Sequence, residues 1–120
     1  DRYFHYIYVR AGAYTFLNKR QADDIWKGLY ELPLVESDAP LSVEQLVRTD
    51  AFARFLAPGE EPQVEFLQQG IKHQLSHRTF FQVVLPEDTR SFSTFLRTSV
   101  AEVENYAVPR LIQAFFEKYL

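Results

Sequence analysis

Two histidines and a serine lie close together in "IKHQLSHRTFFQVVL", residues 71–85, a segment that otherwise has the composition of β-strands. On a helix, the four-residue spacing of His73 and His77 would place two metal ligands on one face, one turn apart. This segment is predicted to form strands, so that geometry is not expected to hold, and no Asp or Glu from 66 to 86 supplies a third ligand. Ser76 and His77 are adjacent, so their side chains point to opposite faces of an extended chain, whereas catalytic serine–histidine pairs come from distant segments. These residues therefore disfavour a metal site or a nucleophilic centre. A polar hairpin connection and a loop that contacts a ligand both stay open.

Alternating aromatic and β-branched residues indicate the strands that must hold this segment. "QVEFLQQGIKHQ" at 63–74 and "RTFFQVVL" at 78–85 predict a pair of strands, and "HQLSH" then lies at the tip between them. Alternate side chains from Thr79 to Leu85 are expected on one face of the second strand, and those from Arg78 to Val84 on the other.

The beginning of the chain predicts a further hairpin. Runs at 3–9 and 14–17 alternate in the same way and are joined by "AGA" at 11–13. His5 lies on a strand face and is expected to be a packed or solvent-edge histidine. "QADDIWKGLYELPLVE" at 21–36 is expected to be a loop that buries Trp26 in the core, with a short strand near its Leu29–Leu32 portion.

Capping signals predict the helices. Ser42 precedes "VEQL" with Gln45 three residues later, which is a capping box for a helix that ends near Arg48. "AFARFL" at 51–56 predicts a second short helix, and "SVAE" at 99–102 a second capping box that opens another short helix. "VPRLIQAFFEKYL" predicts a closing helix with an apolar stripe, and its phenylalanines are expected to be largely buried. The order strand, strand, helix, strand, strand, helix predicts an α+β fold, a mixed sheet flanked by helices.

Composition limits the class of protein. The 120 residues, 47% of them hydrophobic, suit one domain over 1–120 with a substantial core. The absence of Cys excludes disulfides and iron–sulfur ligation within this chain, and no run approaches the length of a membrane span. Net charge is −3, concentrated in 31–65, which carries two basic and eight acidic residues. The absence of Met, even at position 1, suggests a fragment of a longer protein.

Three segments resemble known families, in the same order as in those families. "RQADDIWKGLYELPLVE" resembles the W-x-x-L-(W/Y)-x-(F/L)-P signature of Nudix-like folds. "KHQLSHRTFF" resembles the H-x-(F/L)-S-H segment of the MutY family, the adenine DNA glycosylases that remove adenine opposite 8-oxoguanine, and "ENYAVPRLIQAFFEKYL" resembles that family's closing helix. The resemblance covers almost the whole chain. The residues that carry most of it are Trp26, Pro33, Ser76, His77 and Pro109.

The resemblance implies a C-terminal, Nudix-like domain that reads 8-oxoguanine in duplex DNA beside an N-terminal catalytic domain of the same chain. The expected DNA and lesion contacts are Leu75, Ser76, His77, Lys72 and Arg78, with possible backbone contacts from Lys19 and Arg20. Leu75 occupies a position where Phe is frequent in the family. The loop can therefore insert an apolar side chain between bases, but it offers no aromatic ring for a base to stack on.

The same resemblance places the catalytic residues and a 4Fe-4S cluster in the N-terminal domain and implies no catalytic residue, metal or cofactor in these 120 residues. The implied location is the cytoplasm of a bacterium, in association with the nucleoid, without a membrane partner.

Two other functions compete with lesion recognition. An active Nudix hydrolase would hold Mg²⁺ with the glutamates of the box G-x5-E-x7-R-E-U-x-E-E-x-G-U. Six residues after Gly28 the chain has Leu34 instead of Glu, and no "REUxEE" follows. A Nudix-like protein-interaction module is the other alternative, with the acidic, aromatic-containing segment 31–65 as its surface.

Overall fold

The described residues form a mixed seven-stranded sheet at the centre of the protein. The computed structural model describes residues 2–19, 28–69 and 76–120. The strands are β1 (Arg2–Ala11), β2 (Tyr14–Lys19), β3 (Tyr30–Glu31), β4 (Leu34–Ser37), β5 (Gln63–Gln69), β6 (Ser76–Leu85) and β7 (Leu96–Ser99). The helices are α1 (Val43–Val47), α2 (Asp50–Phe55), a 3₁₀ helix (Val100–Asn105) and α3 (Arg110–Tyr119). The predicted α+β fold with a mixed sheet and flanking helices is confirmed.

The sheet order is β3-β2-β1-β6-β5, with β4 also paired to β1 and β7 to β2. β1 and β6 run parallel along their whole length, from Arg2 opposite Ser76 to Ala11 opposite Leu85. Every other pairing is antiparallel within the described ranges. The long parallel pair therefore brings the first residues of two distant segments together at one end of the sheet.

Each face of the sheet carries its own core. On one face, Ile7, Val9 and Phe81 pack with Leu46 of α1 and Phe52 of α2. A second cluster on the opposite face joins strand residues to α3, and its members include Tyr6, Tyr8, Phe80, Ile112, Phe115 and Phe116. The predicted burial of the phenylalanines of the closing helix is confirmed. The prediction for Trp26 lies outside the described residues.

Local signals set several boundaries. The Ser42 capping box is confirmed, because the backbone N–H of Gln45 donates to Ser42 Oγ at 3.2 Å and that of Ser42 donates to Gln45 Oε1 at 2.9 Å. Between β1 and β2 the chain turns at Gly12, whose φ of 61° is open to glycine at little cost. The short helix predicted after Ser99 is present as the 3₁₀ helix, but its predicted capping box is wrong. Ser99 makes no side-chain cap bond, and its hydroxyl donates to Glu102 Oε1 instead, ahead of a 3₁₀ helix.

The strand that contains the serine–histidine pair begins earlier than the sequence predicts. Ser76 and His77 belong to β6 instead of the connection that precedes it. Their backbones pair with Arg2 and Tyr3, so the parallel neighbour β1 extends the strand by two residues beyond the predicted start at Arg78. The remaining residues of the predicted tip, from 73 to 75, lie outside the described ranges.

Candidate functional site

The parallel pairing of β1 and β6 builds a polar and aromatic surface at one end of the sheet. Ser76 lies opposite Arg2, His77 opposite Tyr3, and Arg78 opposite Phe4. Because side chains alternate along a strand, each of these pairs is on the opposite face from the next. Two distinct half-sites result, one on the α3 side of the sheet and one on the side of α1 and α2.

Two arginines pack near the aromatic ring of Phe4 on the α3 side of the sheet. The guanidinium carbon of Arg2 is 5.2 Å from the centre of the Phe4 ring, and that of Arg78 is 5.6 Å from the same ring. Arg2 also forms an ion pair with Glu36, which lies opposite Phe4 on β4. Ser76 shares this face with Arg78, two residues away, and is half-buried. This half-site therefore combines a hydroxyl, two guanidinium groups and an apolar floor.

The core under α3 supports the same half-site. Phe80 is fully buried and stacks on Phe115 of α3, with ring centres 4.4 Å apart, and on Tyr6 of β1, at 5.3 Å. Lys118, near the end of α3, donates to Gln68 Oε1 at 2.9 Å, and Gln68 lies opposite Phe80 on β5. The strand that carries Ser76 and Arg78 is thus fixed by aromatic packing directly after them.

The half-site on the other face is held by histidines. Tyr3 and His77 stack with ring centres 4.4 Å apart and planes within 10° of parallel. His5 is fully buried between three strands: its Nδ1 is 2.8 Å from Thr79 Oγ1 of β6, and its Nε2 is 2.8 Å from Ser37 Oγ of β4. The expectation of a packed histidine is confirmed for His5.

The hydrogen bonds define the state of His5. Ser37 Oγ donates to the carbonyl of Ala39 at 2.6 Å, so its lone pairs accept from His5 Nε2–H. In the neutral imidazole the remaining Nδ1 accepts from the Thr79 hydroxyl. Burial lowers the pKa of His5, while the backbone of Ala39 acts in the opposite direction. His5 is therefore a neutral imidazole that ties β1, β4 and β6 together beside the Tyr3–His77 stack.

Only part of the predicted site can be placed. Ser76, His77 and Arg78 lie together at the start of β6, with His77 on the opposite face from the other two. Lys19 ends β2, which β1 separates from β6, and its ammonium is 5.8 Å from the centre of the Tyr30 ring. Leu75, Lys72 and Arg20 lie outside the described residues.

Three residues of this surface were not predicted from the sequence: Arg2, Tyr3 and Phe4. The only sequence feature that could have indicated them is the basic and aromatic beginning of the first predicted strand, "RYF". That signal does not identify the partner strand, because the contact with β6 spans more than 70 residues.

The acidic and histidine side chains that the structure describes do not gather into a metal-binding group. Within residues 2–19, 28–69 and 76–120, no three His, Asp or Glu residues are placed to hold a metal ion. A groove of about 880 Å³ lies between the 3₁₀ helix and α3, lined by apolar residues such as Val103, Val108 and Phe116 together with Glu104 and Glu117. Ser76, His77, Arg78 and Lys19, the predicted site residues that the structure describes, do not line this groove, so it is separate from the described surface on β1 and β6. In the described part of the chain, no helix is both long and apolar enough to cross a membrane.

Comparison with known proteins identifies the fold. The model of a NUDIX domain matches residues 5–118. Among solved structures, the C-terminal domain of mouse MUTYH, in complex with human PCNA, is similar with a TM-score of 0.75 and 17% identity, over 99% of this chain and 87% of that one. The predicted resemblance to that domain is confirmed. None of the curated proteins matches the sequence.

Two further structures share the fold. A structure from work on MutT of Aliivibrio salmonicida and Vibrio cholerae has a TM-score of 0.63 and 12% identity, over 98% of this chain and 93% of that one. RenU, a Nudix hydrolase of M. smegmatis, has a TM-score of 0.61 and 11% identity, over 98% of this chain and 81% of that one. At such identities the similarity establishes the fold and leaves the activity to be argued from the residues.

Proposed function

Because the chain belongs to the NUDIX domain family, we propose that it is a lesion-recognition domain of that fold, the part of an adenine DNA glycosylase that binds duplex DNA around an 8-oxoguanine opposite adenine. The segment resemblance to the MutY family and the fold shared with the mouse MUTYH C-terminal domain support this proposal. In it, the chain forms one recognition domain at the C-terminal end of a longer enzyme.

The observation that carries the proposal is the position of Ser76. Ser76 is half-buried at the first position of β6, on the same face as Arg78 and opposite Arg2. 8-Oxoguanine differs from guanine by an oxygen at C8 and a hydrogen on N7. A hydroxyl can donate a hydrogen bond to the oxygen at C8 or accept one from the hydrogen on N7. The guanidinium groups beside it can donate hydrogen bonds to phosphate oxygens.

The opposite orientation of Ser76 and His77 separates their proposed roles. Ser76 contacts the lesion, and Arg78 contacts the DNA backbone on the same face. His77 stacks on Tyr3 and holds the start of β6 against β1. Leu75 is proposed to insert between bases, and Lys72 to contact the DNA backbone. Lys19 and Arg20 are proposed as additional DNA-backbone contacts farther from the lesion.

Catalysis belongs, in this proposal, to the N-terminal domain of the longer enzyme, together with its 4Fe-4S cluster. That enzyme would act on the bacterial nucleoid. Diphosphate hydrolysis is disfavoured because the chain lacks the paired glutamates of the Nudix box and the described residues form no acidic cluster for Mg²⁺. The expected result is that this chain hydrolyses no nucleoside diphosphate in the presence of Mg²⁺.

A protein-interaction module is the second candidate, since the similar mouse domain occurs in a complex with PCNA. That candidate needs no sequence-dependent or lesion-dependent contact with DNA. Binding to damaged and undamaged duplexes therefore separates the two functions.

The test is a paired titration of the complete protein with duplexes that contain 8-oxoguanine or guanine opposite adenine, at one fixed salt concentration. Ser76→Ala should reduce the preference for 8-oxoguanine by about 1–3 kcal/mol, the size of one base-edge contact. Arg78→Ala should weaken both complexes alike and reduce the salt slope by about 1.

His77→Ala serves as the comparison on the opposite face, and it should act on stability more than on discrimination. Unfolding curves of all three variants separate binding from folding. Full discrimination by a folded Ser76→Ala protein would refute the proposed role of Ser76, and equal binding of both duplexes by the unaltered protein would refute the proposed function itself.

A further inference from the structure

We propose that Arg2 and Arg78 together bind a backbone phosphodiester, and that Glu36 competes with this phosphate for Arg2. The identity of the ligand as DNA rests on the proposed function. The site itself is argued from the charges, contacts and exposure around the Phe4 ring.

The first observation is an imbalance of charge. Both guanidinium groups lie against one ring, at 5.2 and 5.6 Å from its centre. Arg2 is paired with Glu36, whereas Arg78 forms no ion pair within the described residues. Among the described residues, two cations against one ring and a single paired carboxylate leave a positive site that can accept a second anion.

The second observation is the way the ring presents the cations. A guanidinium packed against an aromatic ring retains N–H groups at its edge, and these match the oxygens of a phosphate group. Phe4 is half-buried and packs against the core cluster under α3, so the ring is a fixed support. The pairing of Phe4 with Arg78 on one side and Glu36 on the other places the three residues in one row across β6, β1 and β4.

The third observation explains the competition. The side chains of Arg2 and Glu36 are 67% and 46% exposed, so their ion pair is in contact with water. Exposed ion pairs contribute little to stability. Arg2 can therefore exchange the Glu36 carboxylate for a phosphate without disturbing the fold, and Glu36 opposes that exchange by repelling the phosphate.

The proposed phosphate site lies beside Ser76, the residue proposed to contact the lesion. Ser76 lies opposite Arg2 on the same face, next to the row that contains Arg78. A phosphate held between the two arginines would fix the DNA backbone beside the serine proposed to read the lesion. Affinity and lesion reading would then come from neighbouring residues of one face.

The experiment measures the affinity of the complete protein for an undamaged duplex and for an 8-oxoguanine duplex as a function of salt. The variants are Glu36→Gln, Arg2→Ala and the double variant. Glu65→Gln is the matched control for Glu36→Gln, since Glu65 is an exposed carboxylate on β5 that accepts from a neutral side chain, Gln82, at 3.0 Å. Arg97→Ala is the control for Arg2→Ala, since Arg97 stacks on Tyr14 at 3.8 Å in the β2–β7 pair, away from β6.

Glu36→Gln should tighten binding to both duplexes alike and steepen the salt slope. One additional phosphate contact makes the logarithm of the affinity fall more steeply with the logarithm of the salt concentration, by a slope of about 0.9. If the contact has no effect at about 1 M salt, the affinity rises about 15-fold at about 50 mM salt and about fourfold at about 200 mM. Arg2→Ala should weaken binding with the opposite change of slope, and in that background Glu36→Gln should lose its specific effect. Both control variants should leave the slope nearly unchanged.

The outcomes distinguish this site from the proposed function. Equal effects of Glu36→Gln and Glu65→Gln on affinity would show a general charge effect and overturn the phosphate site. The site would also be overturned if the protein prefers the lesion but Glu36→Gln has the same effect with and without Arg2. Coupling in a protein that shows no lesion preference would support the phosphate site while the proposed function fails. Absence of any binding to either duplex would overturn both.

Discussion

His5 makes the stability of the fold depend on pH in a defined direction. The imidazole is fully buried, and its two nitrogens bond Thr79 and Ser37 in the neutral form. Burial lowers the pKa of His5 in the folded protein below the value of about 6.5 that an exposed histidine has. When the pH falls below about 6.5, the unfolded chain takes up a proton at His5 that the folded chain does not, so acid favours unfolding.

The magnitude follows from linkage. The contribution of His5 is fully present above about pH 6.5 and is lost by up to about 1.4 kcal/mol per pH unit below it, until the folded imidazole is itself protonated. His5→Phe removes the titration and keeps a ring against Phe81, whose ring centre is 6.0 Å from that of His5. At pH 8 the variant should be less stable by roughly 1–3 kcal/mol, because two hydrogen bonds are lost and Thr79 loses its acceptor.

The assay is urea unfolding of the wild type and His5→Phe at several pH values between about 8 and 5. The difference in the free energy of unfolding should narrow as the pH falls below about 6.5. The two proteins differ only at residue 5, so the change in their difference with pH reports on His5. A difference that stays constant over this range, or that widens in acid, would refute the buried neutral imidazole.

Two further predictions concern packing. Phe80→Ala should destabilise the protein by about 3–5 kcal/mol, since Phe80 is fully buried between Tyr6 and Phe115, whereas Phe66→Ala, at a ring that is 51% exposed, should cost much less. Similar costs for the two variants in denaturant unfolding would contradict the assigned core. Thr15→Val should stabilise the protein by about 1 kcal/mol, because the buried Thr15 hydroxyl has no hydrogen-bond partner among the described residues. A loss of stability in thermal unfolding would show that this hydroxyl is satisfied.

Local patterns in the sequence predict much of this fold because their causes are local. The Ser42 capping box needs only residues three apart, and the burial of Phe115 and Phe116 follows from the helical period. The same reasoning fails at Ser99, where the hydroxyl bonds the Glu102 side chain and leaves the helix end without a side-chain cap. A motif specifies which bonds are possible, and the geometry of the chain decides which of them form.

The candidate site depends on contacts that no local pattern contains. The sequence identifies Ser76, His77 and Arg78, but it does not show that Arg2, Tyr3 and Phe4 pair with them. That pairing is parallel, and parallel neighbours can be far apart in the chain. The start of β6 shows the consequence, since β1 extends the strand to residues that were predicted to lie in a turn.

The register between β1 and β6 also explains why binding and stability can be altered separately. Alternation places Ser76 and Arg78 on the α3 face with Arg2 and Phe4, where the half-buried and exposed groups can meet a ligand. The intervening His77 and Thr79 point to the face where Tyr3 and the buried His5 hold the strands together. Substitutions at even-numbered positions at the start of β6 should therefore act mainly on binding, and those at the odd-numbered positions mainly on folding. A one-residue shift of register would exchange these roles, so the parity of the effects along 76–79 measures the register itself.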